Sequence, residues 1–146
     1  MGKVDFYILS GDGADEPLRV ACRLADKAWR QGNRVRVQVA DADALHRLDN
    51  LMWTFRQESF LPHEVDGGDP ETAMLDPAPV MLGAGVGAGG DLPDVLINLT
   101  DAVPERADEI SRIAEIVPAD DGSKQAGRAR YRRYREQGFE LDSHEV

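Results

Sequence analysis

The sequence contains a single cysteine, Cys22, and no apolar run long enough to cross a membrane. A lone cysteine cannot form an internal disulfide, which is the usage expected of a protein in a reducing cytoplasm. The longest apolar runs, such as Val95 to Ile97, fall far short of the ~20 residues that span a bilayer. Acidic Asp5 interrupts the start of the chain, where a secretory signal would be apolar. We therefore expect a cytoplasmic protein with neither a membrane span nor a secretory signal.

Histidine is also scarce, and His46, His63 and His144 stand far apart in the chain. No cysteine or carboxylate accompanies them at a metal-ligand spacing such as C-x-x-C or H-x-x-x-H, so we expect no metal site. Cys22 falls on the apolar stripe of a predicted helix, where a thiol acts as a small hydrophobic side chain. Because no nucleophile and base stand in a catalytic pattern, we predict no catalytic residues, no cofactor and no enzymatic activity.

The chain has 146 residues, the size of one domain, and its 42% hydrophobic content can build an ordinary core. Its 17 basic residues are outnumbered by 27 acidic residues, which gives a formal net charge of −10. Such a molecule is repelled by nucleic acids and by anionic membranes, and we expect neither as a direct partner. The stretch 122–135 is an exception, because it holds six basic residues and no acidic residue. This compact cationic stretch indicates a localised acidic partner.

Hydrophobic periodicity divides the chain into alternating strands and helices. Predicted strands cover residues 4–9, 34–39, 94–99 and 113–117, with a short one at 79–82, and predicted helices cover 15–31, 41–53 and 123–137. Residues 54–63 follow neither period and indicate a loop or a short strand, and the Gly-, Pro- and Asp-rich stretch 66–93 is expected to be a flexible loop region. The alternation predicts one α/β domain over residues 1–146, with a mostly parallel sheet flanked by helices in a Rossmann-like arrangement.

Two stretches raise the question of nucleotide binding. Gly85 to Gly90 matches G-x-G-x-x-G literally, but the dinucleotide fingerprint requires a helix to begin directly after it, and here a strand follows. The turn after the first strand carries Asp12, Asp15 and Glu16 where a phosphate would lie, which is electrostatically unfavourable. A glycine loop without a ligand is the favoured interpretation. A nucleotide-binding or enzymatic module that uses Gly85–Gly90 is the alternative.

The basic stretch carries an ordered pattern when it is drawn as a helix. At ~100° per residue, Lys124, Arg128, Tyr131 and Arg135 fall within about 60° of one another. The other arginines spread to different faces and are expected to be solvated: Arg130, Arg132 and Arg133. A stripe of cations beside an aromatic ring can bind a peptide with acidic groups and an apolar end. The alternative is a solvated basic helix whose tyrosines pack inward.

Several short blocks of the sequence occur, in order, in one known protein family. The C-terminal blocks are E-I-V-P at 115–118, K-Q at 124–125, R-A-R-Y-R-R-Y-R at 128–135 and G-F at 138–139. The upstream blocks are F-Y-I-L at 6–9, A-W-R at 28–30 with Gly32 and R-V at 34–35, R-L-D at 47–49, L-M-W at 51–53, E-S-F-L-P-H at 58–63 and D-V-L-I at 94–97. In these blocks the sequence resembles the chi subunit of bacterial DNA polymerase III holoenzyme.

The resemblance implies a non-catalytic member of the clamp-loader assembly, with an α/β fold that binds no nucleotide. Chi proteins bind the acidic C-terminal tail of single-stranded DNA-binding protein, which ends in a Pro-Phe carboxylate. The resemblance places this site on Val117, Lys124, Arg128 and Tyr131. The two cations would pair with the carboxylates of the tail, and the other two side chains would line a pocket for the terminal phenyl ring.

The resemblance also implies a second surface, which binds the psi subunit or a helicase in its place. In this sequence it maps to Trp53 and Phe60. Their neighbours Phe55 and Leu61 add apolar area to the same short stretch, although Phe55 is as readily interpreted as a core residue. The glycine-rich loop 83–90 and the acidic body depart from the family pattern. Gly127 is a further departure, expected to cost the basic helix up to about 1 kcal/mol relative to alanine.

Overall fold

The computed structural model describes residues 2–11, 13–54, 61–66, 79–85 and 92–146. Within these ranges the chain forms seven strands and three α-helices. The strands are β1 (Lys3–Ile8), β2 (Val35–Gln38), β3 (His63–Val65), β4 (Val80–Gly83), β5 (Val95–Asn98), β6 (Arg112–Val117) and β7 (Glu140–Glu145). The helices are α1 (Glu16–Arg30), α2 (Ala42–Thr54) and α3 (Asp121–Gln137), and a 3-10 turn covers Ala107–Glu109.

The described strands form one sheet in the order β3-β4-β2-β5-β6-β1-β7, and every pair in it is parallel. From β1 the chain crosses to β2, continues to β3 at the far edge of the sheet, and then returns through β4, β5 and β6. As a result β1 lies between the late strands β6 and β7. This sheet confirms the predicted α/β class with its mostly parallel strands. All four residues of β5 are buried, as expected for a strand covered on both faces.

The helices divide the core into two layers, one on each face of the sheet. Helices α1 and α2 cover one face, where Leu18, Leu48 and Met52 pack against strand residues that include Val37 and Ile97. Helix α3 covers the other face over β1 and β6, and its buried Tyr134 packs with Phe6, Ile113 and Val117 of that layer. None of the helices in the described ranges has both the length and the apolar character that a bilayer crossing requires.

Two strands go beyond the sequence prediction. β7 was not predicted because its sequence, E-L-D-S-H-E, carries a single apolar residue and little alternation. It lies at the edge of the sheet, where a strand needs a partner on one side only and can remain largely exposed.

β3 lies partly inside the stretch for which a loop or short strand was expected, and β4 confirms the short strand expected at 79–82. Most of the predicted loop region lies outside the described residues, which omit 67–78 and 86–91.

Strand β2 is buried on both faces. Val35 and Val37 lie on one face, and Arg36 on the opposite face is only 5% exposed. Its guanidinium makes a two-point contact with Asp66, at 2.8 Å and 2.6 Å, and donates to the carbonyl oxygen of Gly85 at 2.8 Å. A buried arginine is tolerated here because these acceptors satisfy its donors.

Candidate functional site

Helix α3 begins and ends with well-formed caps. The Asp120 carboxylate accepts a hydrogen bond from the backbone N–H of Ser123 at 2.9 Å, and the hydrogen bonds from Ser123 lower the pKa of Asp120. Asp120 is thus the N-cap of the helix, and Asp121 lies in its first turn, where an acidic residue is favoured by the helix dipole. At the other end Gly138 adopts a left-handed conformation with φ 91°, a common helix terminator. The caps fix the helix so that its N-terminal half lies beside the end of β6.

A cavity of about 350 Å³ lies between the N-terminal half of α3 and the sheet. All four residues that the family resemblance assigned to tail binding line this cavity: Val117, Lys124, Arg128 and Tyr131. Its other lining residues are Phe6 and Ile8 from β1, Gly127 from α3, and Ser143 and Glu145 from β7. Arg135, which shares their stripe on the helical wheel, is not among the lining residues. The sequence missed the β7 contribution because that strand was not predicted.

The inner wall of the cavity is apolar and closely packed. Val117, at the end of β6, is 2% exposed. The centroids of the Phe6 and Tyr131 rings lie 5.4 Å apart, and the two rings are tilted relative to each other. A Cβ atom on Gly127 would lie 3.1 Å and 3.2 Å from the two γ-methyl groups of Val117. Gly127 therefore has a packing reason for its presence in the helix, since it allows α3 to approach β6. The wall has a size and character suited to an aromatic or aliphatic group.

The rim of the cavity is charged. Lys124 and Arg128 lie one helical turn apart and both face it. Across the part of the chain that the structure describes, neither side chain forms a salt bridge with a carboxylate of the same molecule. The two cations are therefore available to a negatively charged ligand. Glu145 lines the same cavity from β7.

Arg130 was predicted to be solvated, and this prediction is wrong because the side chain is buried. It is 4% exposed, and its Nε donates a hydrogen bond of 3.0 Å to the fully buried carboxylate of Glu115 on β6. Tyr134 Oη donates to the same carboxylate at 2.6 Å, and Asn98 Nδ2 donates at 3.0 Å. The signal that would have found this network is Glu115 itself, a charge inside an otherwise apolar strand that requires a partner. Arg132 and Arg133 are exposed as expected.

Burial shifts the proton affinities in this network. Loss of solvation raises the pKa of Glu115, and the opposing influence comes from Arg130 and the hydrogen bonds from Tyr134 and Asn98. Burial, together with the neighbouring Glu115 charge, raises the pKa of Tyr134 well above its ordinary value. The tyrosine therefore remains a hydrogen-bond donor at neutral pH. The network ties α3 to the middle of the sheet and so holds the cavity wall in place.

Trp53 lies apart from this cavity, at the C-terminal end of α2, and is 57% exposed. Its ring packs against the His63 ring at 4.5 Å in an edge-on arrangement. The histidine is held by its own contacts, with Nδ1 2.8 Å from the Leu61 carbonyl oxygen and Nε2 3.2 Å from Asp49 Oδ1. This support for the tryptophan was not predicted from the sequence. Phe60 lies outside the described residues, and so does Phe55.

The remaining chemical candidates do not form a site in the described chain. Within the described ranges, no group of three or more His, Cys, Asp or Glu side chains could hold a metal ion. Cys22 is buried in the core under α1, and burial raises the pKa of its thiol to about 12. At the first strand-to-helix turn, Asp15 forms an ion pair with Arg47. Of the glycine motif 85–90, only Gly85 is described.

Comparisons with known proteins give one consistent result. The family model described as DNA polymerase III chi subunit, HolC, matches residues 1–142. DNA polymerase III subunit chi of Pseudomonas aeruginosa is 42% identical, over 100% of this chain and 98% of that protein. The subunit chi of Escherichia coli is 31% identical, over 98% of this chain and 97% of that protein.

A solved structure shares the fold. The crystal structure of T4 UvsW matches 99% of this chain with a TM-score of 0.67, while the chain spans 41% of that structure. The sequence identity is 13%, so this likeness concerns the fold alone.

Proposed function

This chain belongs to the DNA polymerase III chi subunit family, a family of replication subunits, and from that premise we propose that it is a non-catalytic adaptor of the clamp-loader assembly. Its task is to hold the acidic C-terminal tail of single-stranded DNA-binding protein, and so to tether the assembly to coated DNA. A protein with this role in bacterial DNA replication acts in the cytoplasm, and the proposal includes that location. No cofactor takes part in this function.

One observation carries the proposal: an apolar wall and two cations, neither of which forms a salt bridge within the described part of the chain, face the same cavity. In the proposed complex, Lys124 and Arg128 pair with the aspartates and terminal carboxylate of the tail. Val117 and Tyr131 receive its terminal phenyl ring. A guanidinium binds carboxylates in a two-point geometry, and a phenyl ring buried against a rigid wall provides most of the anchoring energy in such interfaces.

The net charge of −10 opposes an acidic ligand only at a distance. At physiological salt the Debye length is about 8 Å, so charges on the far side of the molecule are largely screened. A tail carboxylate within the cavity experiences mainly Lys124, Arg128 and their immediate neighbours. Binding of this kind should weaken as salt concentration rises, because exposed charge pairs are screened by salt.

The second part of the proposal concerns the surface around Trp53. We assign this surface to the psi subunit, or to a helicase in its place, together with Phe60. An exposed tryptophan on a small protein provides a large amphipathic contact area, and tryptophan is enriched at the centres of protein interfaces. Its contact with His63 supports the ring from below. Trp53 does not line the α3 cavity, so the two partners can be bound independently.

The direct test is a titration of the protein with a synthetic peptide that has the acidic tail sequence and ends in Pro-Phe, followed by fluorescence anisotropy. Saturable binding that weakens with added salt supports the proposal. Two control peptides separate the contributions, one with a C-terminal amide and one with the final Phe replaced by Ala, and both should bind more weakly. No saturable binding of the intact peptide at low salt would contradict it.

A further inference from the structure

The cavity contains one negative charge that the proposed function does not use. Glu145 lies on β7 and lines the cavity together with Ser143, across from the cations of α3. Across the described ranges it forms no salt bridge with Lys124 or Arg128, so it does not serve to hold either cation in position. The family model ends at residue 142, before this position. Glu145 therefore lines the cavity from outside the residues that the family model matches.

The geometry of β7 fixes the direction of this carboxylate. β7 pairs with β1 in parallel, and Glu145 lies opposite Ile8, which also lines the cavity. Alternate residues of a strand face the same side, so Ser143 and Glu145 share the cavity face. His144 and Asp142 face the other side of the sheet. There His144 contacts Asp5, and Asp142 contacts Lys3. Glu145 thus belongs to the binding face, and its neighbours on the strand do not.

We propose that Glu145 sets the affinity and selectivity of the cavity by repelling acidic ligands. The inference rests on the proposed function, since it concerns the ligand of the same site. A carboxylate that lines the same cavity as the two cations reduces the positive potential that they create there. The cavity then holds an anionic peptide only when the apolar end of that peptide also fits the wall formed by Val117 and Tyr131. Acidic peptides without an aromatic end are rejected, because charge attraction alone is too weak.

Glu145→Gln removes the charge and preserves the shape of the side chain. Interactions between exposed charges are worth about 0.2–1 kcal/mol, so the variant should bind the tail peptide about 1.4- to 5-fold more tightly. A peptide whose final Phe is replaced by Ala keeps the same carboxylates, so its affinity should rise by a similar factor. The gain should disappear for a peptide whose aspartates are replaced by asparagine and whose C-terminus is an amide.

Glu140→Gln is the matched control, since it makes the same charge change on the same strand. Glu140 lies five residues away, about 16 Å along the strand and roughly two Debye lengths, and it faces the other side of the sheet. The affinity of the Glu140→Gln variant for the tail peptide should equal that of the wild type. Circular dichroism of both variants checks that the fold is intact.

The possible outcomes separate the two proposals. If neither the wild type nor Glu145→Gln binds the tail peptide, the proposed function fails and the inference fails with it. If the wild type binds, and Glu145→Gln binds with equal or lower affinity, only the role of Glu145 is refuted. Equal gains in Glu145→Gln and Glu140→Gln refute it as well, because they would reflect net charge alone. Binding that is tighter in Glu145→Gln alone supports it.

Discussion

Arg130 and Glu115 form an ion pair in the core beneath α3, with Nε of the arginine 3.0 Å from Oε1 of the glutamate. Their side chains are 4% and 0% exposed. A buried pair of this kind is costly to break, because removal of one partner leaves an uncompensated charge in an apolar environment. The pair joins the helix that carries the candidate site to a central strand of the sheet. Stability and site geometry therefore depend on the same contact.

Replacing Arg130 by Met should destabilise the protein by about 3–5 kcal/mol at neutral pH. The guanidinium opposes the upward shift in the pKa of Glu115 that burial causes, so its loss raises that pKa further. A carboxyl whose pKa is higher in the folded state binds its proton more tightly there, and its contribution to stability falls as pH rises above the unfolded value. The destabilisation should therefore be smaller at about pH 5 than at about pH 8, as measured by urea unfolding.

Arg133→Met is the control for this prediction, because Arg133 is exposed on the same helix and should change stability by less than about 0.5 kcal/mol. The double variant Glu115→Met with Arg130→Met should recover only part of the loss, since it leaves no charge without a partner but removes the acceptor of the buried Tyr134 hydroxyl. Equal destabilisation at both pH values would show that the effect of Arg130 is packing alone.

Arg128→Glu should abolish measurable binding of the tail peptide while leaving the fold unchanged. Breaking a charge pair at an interface costs about 2 kcal/mol or more, which predicts at least a ~30-fold loss of affinity in fluorescence anisotropy. Arg132→Glu makes the same charge change at an exposed position of α3 that does not line the cavity. It should alter affinity less than about 2-fold at physiological salt. Similar losses in the two variants would remove the assignment of the site to the cavity.

Gly127→Ala should weaken the protein and its peptide binding together. Alanine improves helix propensity by up to about 1 kcal/mol, but its methyl group meets Val117 at 3.1 Å, and overpacking of a core costs about 1–3 kcal/mol. We expect a lower melting temperature and a partly filled cavity. In a Val117→Ala background the same change should stabilise the protein, because the opposing methyl groups are absent. Identical effects in both backgrounds would mean that the two residues are not coupled.

Trp53→Ala should weaken copurification of the psi subunit and leave peptide binding intact. The side chain is more than half exposed, so its removal is expected to have a small effect on folding. Tyr131→Ala is the reciprocal control, because it truncates an aromatic residue of the cavity and should weaken the peptide but not psi. Phe60→Ala is predicted to behave like Trp53→Ala. A variant that loses both partners and remains folded would contradict the assignment of two independent surfaces.

The sequence was informative where local periodicity determines position. The helical period placed Lys124, Arg128 and Tyr131 on one stripe, and the structure brings these side chains to one cavity. The same reasoning failed for Arg130, because a helical wheel gives the direction of a side chain but not what lies opposite it. Glu115 is 15 residues away in the sequence, and only the packing of α3 on the sheet brings the two together.

Strand β7 marks a second limit of sequence interpretation. Its residues are mostly polar because an edge strand buries little, so neither hydrophobicity nor alternation identifies it. Without β7 the contribution of Glu145 to the cavity could not be anticipated. The contact of His63 with Trp53 was missed for a related reason, since it joins the end of α2 to a short strand that follows an aperiodic stretch.

The position of β1 has a consequence for the synthesis of the protein. Residues 3–8 leave the ribosome long before their neighbours in the sheet, which are residues 112–117 and 140–145. Strands that are so distant along the chain can pair only after both have been synthesised. Pairing between such strands is slow compared with the formation of local structure. The cavity draws on β1, β6, α3 and β7 together, so it forms only after residues 140–145 have been synthesised. A nascent chain that has not reached β7 therefore cannot compete with finished copies for a ligand.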